Sequence, residues 1–244
     1  LLPAVGCVRE DWILGTPRIS NVGVVFDISK QVRASMNNNT MKDIFVRLCA
    51  AYSNDETLVA HLWQEVESCY SATGRYYHNM EHLVALIGEL DEVKHLIAGW
   101  NSVLFALYYH DIIYNVLRND NEEQSAQNAT QRLRQLGVPD ATISDVSTLI
   151  LATKSHASVG NADVDYFTDA DLSVLGRESA GYMQYAQQVR REYGIYPALL
   201  YKPGRKKVLQ HFLQMERIFK TDWFYQKYES PARKNLQAEL DGSL

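Results

Sequence analysis

Three of the chain's seven histidines stand close enough to share one task. His78 and His82 are four residues apart in Tyr76-Tyr77-His78-Asn79-Met80-Glu81-His82, a spacing that on a helix puts both imidazoles on one face. His110 directly precedes Asp111 at the end of the apolar run Val103-Leu104-Phe105-Ala106-Leu107-Tyr108-Tyr109. A helix that delivers a His-Asp pair from its buried side offers one nitrogen and one carboxylate oxygen to the same ion, which suits zinc or another divalent transition metal. Each piece alone is common, and a core histidine hydrogen-bonded to backbone explains His82 or His110 taken singly.

The elements that must bring these residues together read as helices. Ile44 and Leu48, then Leu58, Leu62 and Val66, then Leu83, Leu86, Ile87 and Leu90 recur at helical spacing. Val103, Leu104 and Leu107 line a fourth helix, and Ser125 to Leu136 a polar fifth closed by Gly137 and Pro139. Ile143, Val146, Leu149 and Ile150 mark a sixth, and Val208, Phe212, Met215 and Phe219 predict one late in the chain. No long period-2 alternation occurs from Met41 on, so the fold class expected is all-α. Residues 1–40 carry scattered Gly, Pro and Asn and no helical period. They are expected to be an extension outside the fold, with one domain over 41–244.

Composition bounds what such a domain can do. The whole chain's 244 residues are 46% hydrophobic and carry a net charge of −5, enough apolar side chain for a real core and no general basic field to attract nucleic acid. No apolar run approaches the roughly 18–20 residues of a membrane span, so no membrane partner is expected. Cys7, Cys49 and Cys69 are odd in number and lack a CxxC, which argues against a disulfide framework and a cysteine zinc site and for a reducing, cytoplasmic setting.

The order of motifs carries a resemblance. Tyr-His-Asn-x-x-His at 77–82, His-Asp at 110–111, Ile-Leu-Ala-Thr at 150–153 and Ala-Asp-Leu-Ser at 170–173 resemble the HD superfamily of metal-dependent phosphohydrolases, including its distant cyclic-nucleotide phosphodiesterase branch. From Arg75 onward the chain is similar to a bacterial branch of predicted HD phosphohydrolases. It shares RxYHNxxH (Arg75 to His82), HDxxY (His110 to Tyr114), NExxSA (Asn121 to Ala126), DADLxxLG (Asp169 to Gly176), VRxEY (Val189 to Tyr193) and ARxNL (Ala232 to Leu236).

The resemblance implies a phosphodiesterase-like helical bundle and a hydrolase of a phosphate mono- or diester, a nucleotide being the substrate class. It implies that His82, His110, Asp111 and Asp171 hold a divalent metal ion and that His78 donates a proton to the leaving oxygen. Asp169 is the rival for the fourth place; residues two apart do not share a helix face, so only one of the two is expected to bind, and the Ala-Asp-Leu-Ser match favours Asp171. Bound metal lowers the pKa of its water from about 15.7 toward about 7, and Asp111 would orient that water. Mn, Co, Ni, Zn, Mg and Fe all suit two histidines and two aspartates. Two other readings stay open: a metal-binding regulatory module without turnover, and a di-iron oxygenase. The oligomeric state, a homo-oligomer included, is also open.

Further candidates have two readings each. Glu122 and Glu123 are either groups around metal-bound water or first-turn acids favoured by the helix dipole. His156 is a ligand of a second metal or a loop residue. Arg75 and Lys154 can meet a substrate phosphate, or serve as a surface ion pair and a solvated lysine. Lys202-Pro203-Gly204-Arg205-Lys206-Lys207, read as lying just before a helix from Val208, is a phosphate-tail site or a solvated run. Arg233 and Asn235 are expected to cap helix ends.

Overall fold

Helices form wherever the apolar period predicts them, and their ends place the residues of interest. A computed structural model describes residues 37–158 and 160–242. Among these there are ten α-helices and no strand: α1 (Asn38–Ala50), α2 (Glu56–Tyr70), α3 (Met80–Glu92), α4 (Trp100–Tyr109), α5 (Asn121–Gln135), α6 (Asp140–Ala152), α7 (Ala162–Leu172), α8 (Ser179–Glu192), α9 (Ala198–Gln214) and α10 (Asp222–Leu240). The chain is all-α, as its periodicity indicates.

α4 is the axis of the bundle. Every residue from Ser102 to Tyr109 is buried, as expected of a helix that is apolar all round. α5 and α6 pack on it and on each other, while α3 packs against α4 and α7. Aromatic edge-to-face contacts lock α1 and α2 onto it, with Phe45 5.0 Å from Tyr108 and Trp63 6.4 Å from the same ring.

Two boundaries differ from the sequence reading. α1 starts at Asn38, before Met41, because the Asn37 side chain accepts from Asn39 N–H at 3.0 Å and Thr40 N–H at 3.2 Å. The polar run assigned to the extension is therefore an N-cap and first turn; the rest of that segment, residues 1–36, lies outside the described residues. α9 takes in the basic cluster and ends before Met215, so Phe219 is buried from the linker that follows. Within the cluster, Arg205 is held by Glu239 through two bonds of 2.8 Å, leaving Lys202, Lys206 and Lys207 exposed. Cys49 and Cys69 are unpaired, and Cys7 lies outside the described residues. No described helix is long and apolar enough to cross a membrane.

The carboxy-terminal segment is clasped by polar side chains. Arg233 donates to the carbonyls of Leu213, Met215 and Glu216 at the end of α9 and just beyond it, and pairs with Glu229 at 2.7 Å. Asn235 donates to the carbonyls of Leu175 and Arg177, ending the 3-10 turn Ser173–Gly176. Gly176 lies so close to α10 that a Cβ there would come 2.7 Å from Tyr228 Cβ and 2.9 Å from its carbonyl oxygen. Gly176→Ala is expected to lower the unfolding free energy by about 1–3 kcal/mol, read from the urea midpoint. Gly88→Ala, where an added Cβ meets nothing within 4 Å inside α3, is expected to raise it by about 0.5–1 kcal/mol through helix propensity.

Candidate metal centre

Four helix ends converge beside α4. His110 caps the C-terminus of α4, His82 sits in the first turn of α3, Asp171 in the last turn of α7, and Glu192 closes α8. Asn79 starts α3 by accepting from Glu81 N–H at 2.9 Å and His82 N–H at 3.3 Å. His78 therefore precedes the helix. The shared helix face expected for His78 and His82 is replaced by a turn, and their ring centres lie 6.0 Å apart.

The Nε2 atoms of His82 and His110 face each other at 3.1 Å with both residues buried. Asp111 Oδ2 is 3.1 Å from His110 Nε2 and 3.9 Å from His82 Nε2. Asp171 Oδ1 is 3.2 Å from His82 Nε2 and 3.9 Å from His110 Nε2. His110 Nδ1 lies 3.0 Å from the Leu107 carbonyl, an acceptor only. That contact puts the proton on Nδ1 and leaves the Nε2 lone pair of the neutral ring turned to the cluster, the tautomer a metal ligand needs. His82, His110 and Asp111 form a group that can hold a metal ion.

Charge in the cluster is mutually stabilised. Burial lowers the His110 pKa, but the Asp111 carboxylate and its hydrogen bond outweigh it and bring it to about 9. Burial disfavours the Asp111 and Asp171 anions, yet the neighbouring imidazoles hold both carboxyls well below the usual carboxylate range.

Beside this group stands a second pair. His78 Nδ1 meets Glu192 Oε2 at 2.7 Å, and Glu192 Oε1 accepts from the N–H groups of Tyr76, Tyr77 and His78 at 2.7–2.9 Å. Tyr114 donates to Glu192 Oε2 at 2.9 Å and stacks on the His78 ring at 4.2 Å. Burial opposes both charges, but the Asp111 and Glu192 carboxylates raise the His78 pKa and His78 brings Glu192 down to about 2. Sequence reasoning left Glu192 and Tyr114 without a role, although both stand inside the VRxEY and HDxxY motifs.

Other candidates lie elsewhere. Asp169 is fully buried and accepts from the backbone N–H groups of Lys220 and Thr221, the Thr221 hydroxyl and Lys220 Nζ; it anchors the linker before α10. Arg75 is a strut where a phosphate contact was expected. Its Nη1 donates to the carbonyls of His78 and Asp111 and its Nη2 to that of Ile112, which ties the His78 turn to the Asp111 turn. Lys154 Nζ bonds Glu123 and the Asn119 carbonyl at the surface. That ion pair takes Glu123 away from the cluster, and the Glu122 carboxylate makes no hydrogen bond or ion pair among the described residues. His156, at a positive φ of 52°, places Nε2 3.1 Å from Asp171 Oδ2, so Asp171 stands between two histidines.

Comparisons with protein-family models, curated proteins and solved structures give no match.

Metal uptake must displace a proton from His110. A folded-state pKa raised to about 9 means that the metal-free fold gains stability from protonated His110 below the ordinary histidine range and loses it as pH rises through about 9. Affinity for a divalent ion is therefore expected to rise about tenfold per pH unit where one proton is released and to level off above about pH 9. Calorimetric titration across that range checks this, and a pH-independent affinity would contradict it.

Proposed function

We propose that the chain is a metal-dependent phosphohydrolase of the HD superfamily, cleaving a phosphate mono- or diester with a nucleotide as substrate class. The observation that carries this reading is the His82–His110–Asp111 group, with both histidines buried, standing beside an imidazole that a buried carboxylate orients. His82, His110, Asp111 and Asp171 would hold a divalent ion, the four supplying two nitrogens and two carboxylates. Such an ion, when bound, polarises a phosphoryl oxygen and makes hydroxide available near neutral pH.

The chain's own residues supply the proton. With Nδ1–H donated to Glu192, His78 has Nε2 as its remaining exchangeable position. Glu192 stabilises the imidazolium, Tyr114 fixes the ring plane, and proton transfer from Nε2 to the departing alkoxide completes ester cleavage. A regulatory module would need the metal group but not this second pair, whose burial disfavours both of its charges. The oxygenase reading needs a second set of ligands drawn from His78, Glu122, Glu123 and His156, and of these only His156 is within hydrogen-bond distance of Asp171.

Elemental analysis of His110→Ala and Asp111→Ala is expected to show the ion lost. His78→Ala is expected to keep it while hydrolysis of an aryl phosphate falls by about 10²–10⁴-fold. Ion retained in both ligand variants would overturn the metal centre, and full activity in His78→Ala would overturn the proton donor.

A further inference from the structure

α3 and α8 leave between them an open groove, about 70 Å³ of it enclosed, that runs up to His82. Tyr77, Arg177, Gln184 and Gln188 line it, together with Glu81. Among the described residues no hydrogen bond or ion pair engages the Tyr77 hydroxyl, the Arg177 guanidinium, either glutamine amide or the Glu81 carboxylate. Four other arginines are bound internally, Arg75 to carbonyls, Arg132 to Glu65, Arg205 to Glu239 and Arg233 to Glu229, whereas Arg177 is exposed on the groove. The Arg177 stem is laid over Gly181, where an added Cβ would come 3.4 Å from Arg177 Cβ and 3.6 Å from its Cδ. The Tyr77 ring lies 5.0 Å from the His82 ring, so the groove opens directly beside the metal centre.

Free polar groups that converge on a groove are matched by a ligand that supplies their partners. A guanidinium fork fits phosphate oxygens two at a time. Glutamine amides both donate and accept, and a carboxylate accepts from hydroxyl groups. We propose that this groove is a substrate subsite in which Arg177 and the Tyr77 hydroxyl take a second phosphate. The substrate is then a bisphosphate, with one phosphate at the metal centre and a hydroxyl-bearing sugar or nucleoside body against Glu81, Gln184 and Gln188. This inference rests on the phosphohydrolase reading and narrows its substrate.

Two matched pairs of compounds test it on the metal-loaded protein: a ribonucleoside 3′,5′-bisphosphate against its 5′-monophosphate, and fructose 1,6-bisphosphate against fructose 6-phosphate. In at least one pair the bisphosphate is expected to show a KM lower by about tenfold or more, the effect of one charge-assisted contact; the pair that shows it identifies the body. Arg177→Gln is expected to collapse that preference through KM with kcat held, whereas Arg134→Gln, an exposed charge on α5, keeps it. Equal KM values within both pairs, or a preference that survives Arg177→Gln, would overturn the subsite while leaving the hydrolase reading intact. If no ester is cleaved, the hydrolase reading fails, and calorimetric binding of the same bisphosphates decides the groove separately: binding weakened about tenfold by Arg177→Gln supports it, and no binding, or binding unchanged in that variant, overturns it.

Discussion

Two imidazole nitrogens held 3.1 Å apart on buried residues are a demanding thing to build into an apolar interior. Both cannot donate into the same space, and burial leaves them dependent on protein partners. The bundle resolves this with carboxylates: Asp111 and Asp171 each approach both nitrogens, one close to His110 and the other close to His82. The remaining architecture follows from that arrangement. α4 is buried on all sides, so His110 arrives at its C-terminus already desolvated, and the Leu107 carbonyl within the same helix fixes its tautomer. α3 starts at Asn79 rather than earlier, which puts His82 in the first turn and frees His78 to leave the helix axis.

Glu192 is the counterpart of this arrangement on the far side of His78. A single buried carboxylate satisfies three consecutive N–H groups with one oxygen and orients an imidazole and a phenol with the other. The turn that carries His78 has no helical hydrogen bonds of its own to rely on, so its shape comes from α8. Arg75 secures the same turn from the other side through the carbonyls of His78, Asp111 and Ile112. Both sides of the His78 turn are thus held by charged groups working on backbone atoms, a rigid mounting for a ring that must not wander.

Seven of the ten described helices were legible in the sequence from their apolar period or their polar run and stop signals, whereas α7, α8 and α10 were not, α7 because acids interrupt its apolar residues. The approach of His82, His110, Asp111 and Asp171 was legible only through motif order. What could not be read were contacts between residues far apart in the chain whose types are ordinary. Glu192 looks like any acid at the end of a polar helix, and Arg75 like any surface arginine, until the fold brings backbone atoms to them. The i, i+4 reading of His78 and His82 failed for a local reason: Asn79 between them is a strong N-cap, and a cap residue has extended backbone. Glu123 and Lys154 were drawn toward the site by their motifs, but on the surface each had the other as a nearer partner.

His78 and Glu192 are separated by 114 residues, whereas His82, His110 and Asp111 lie between the first turn of α3 and the end of α4. Chains grow from the amino terminus and fold as their contacts become available. A nascent chain released as far as α4 already holds the three residues that can grip an ion, yet lacks the carboxylate that orients His78. The cluster of His82, His110 and Asp111 and the pair of His78 with Glu192 are therefore assembled at different moments of synthesis, the second only when α8 has emerged and docked.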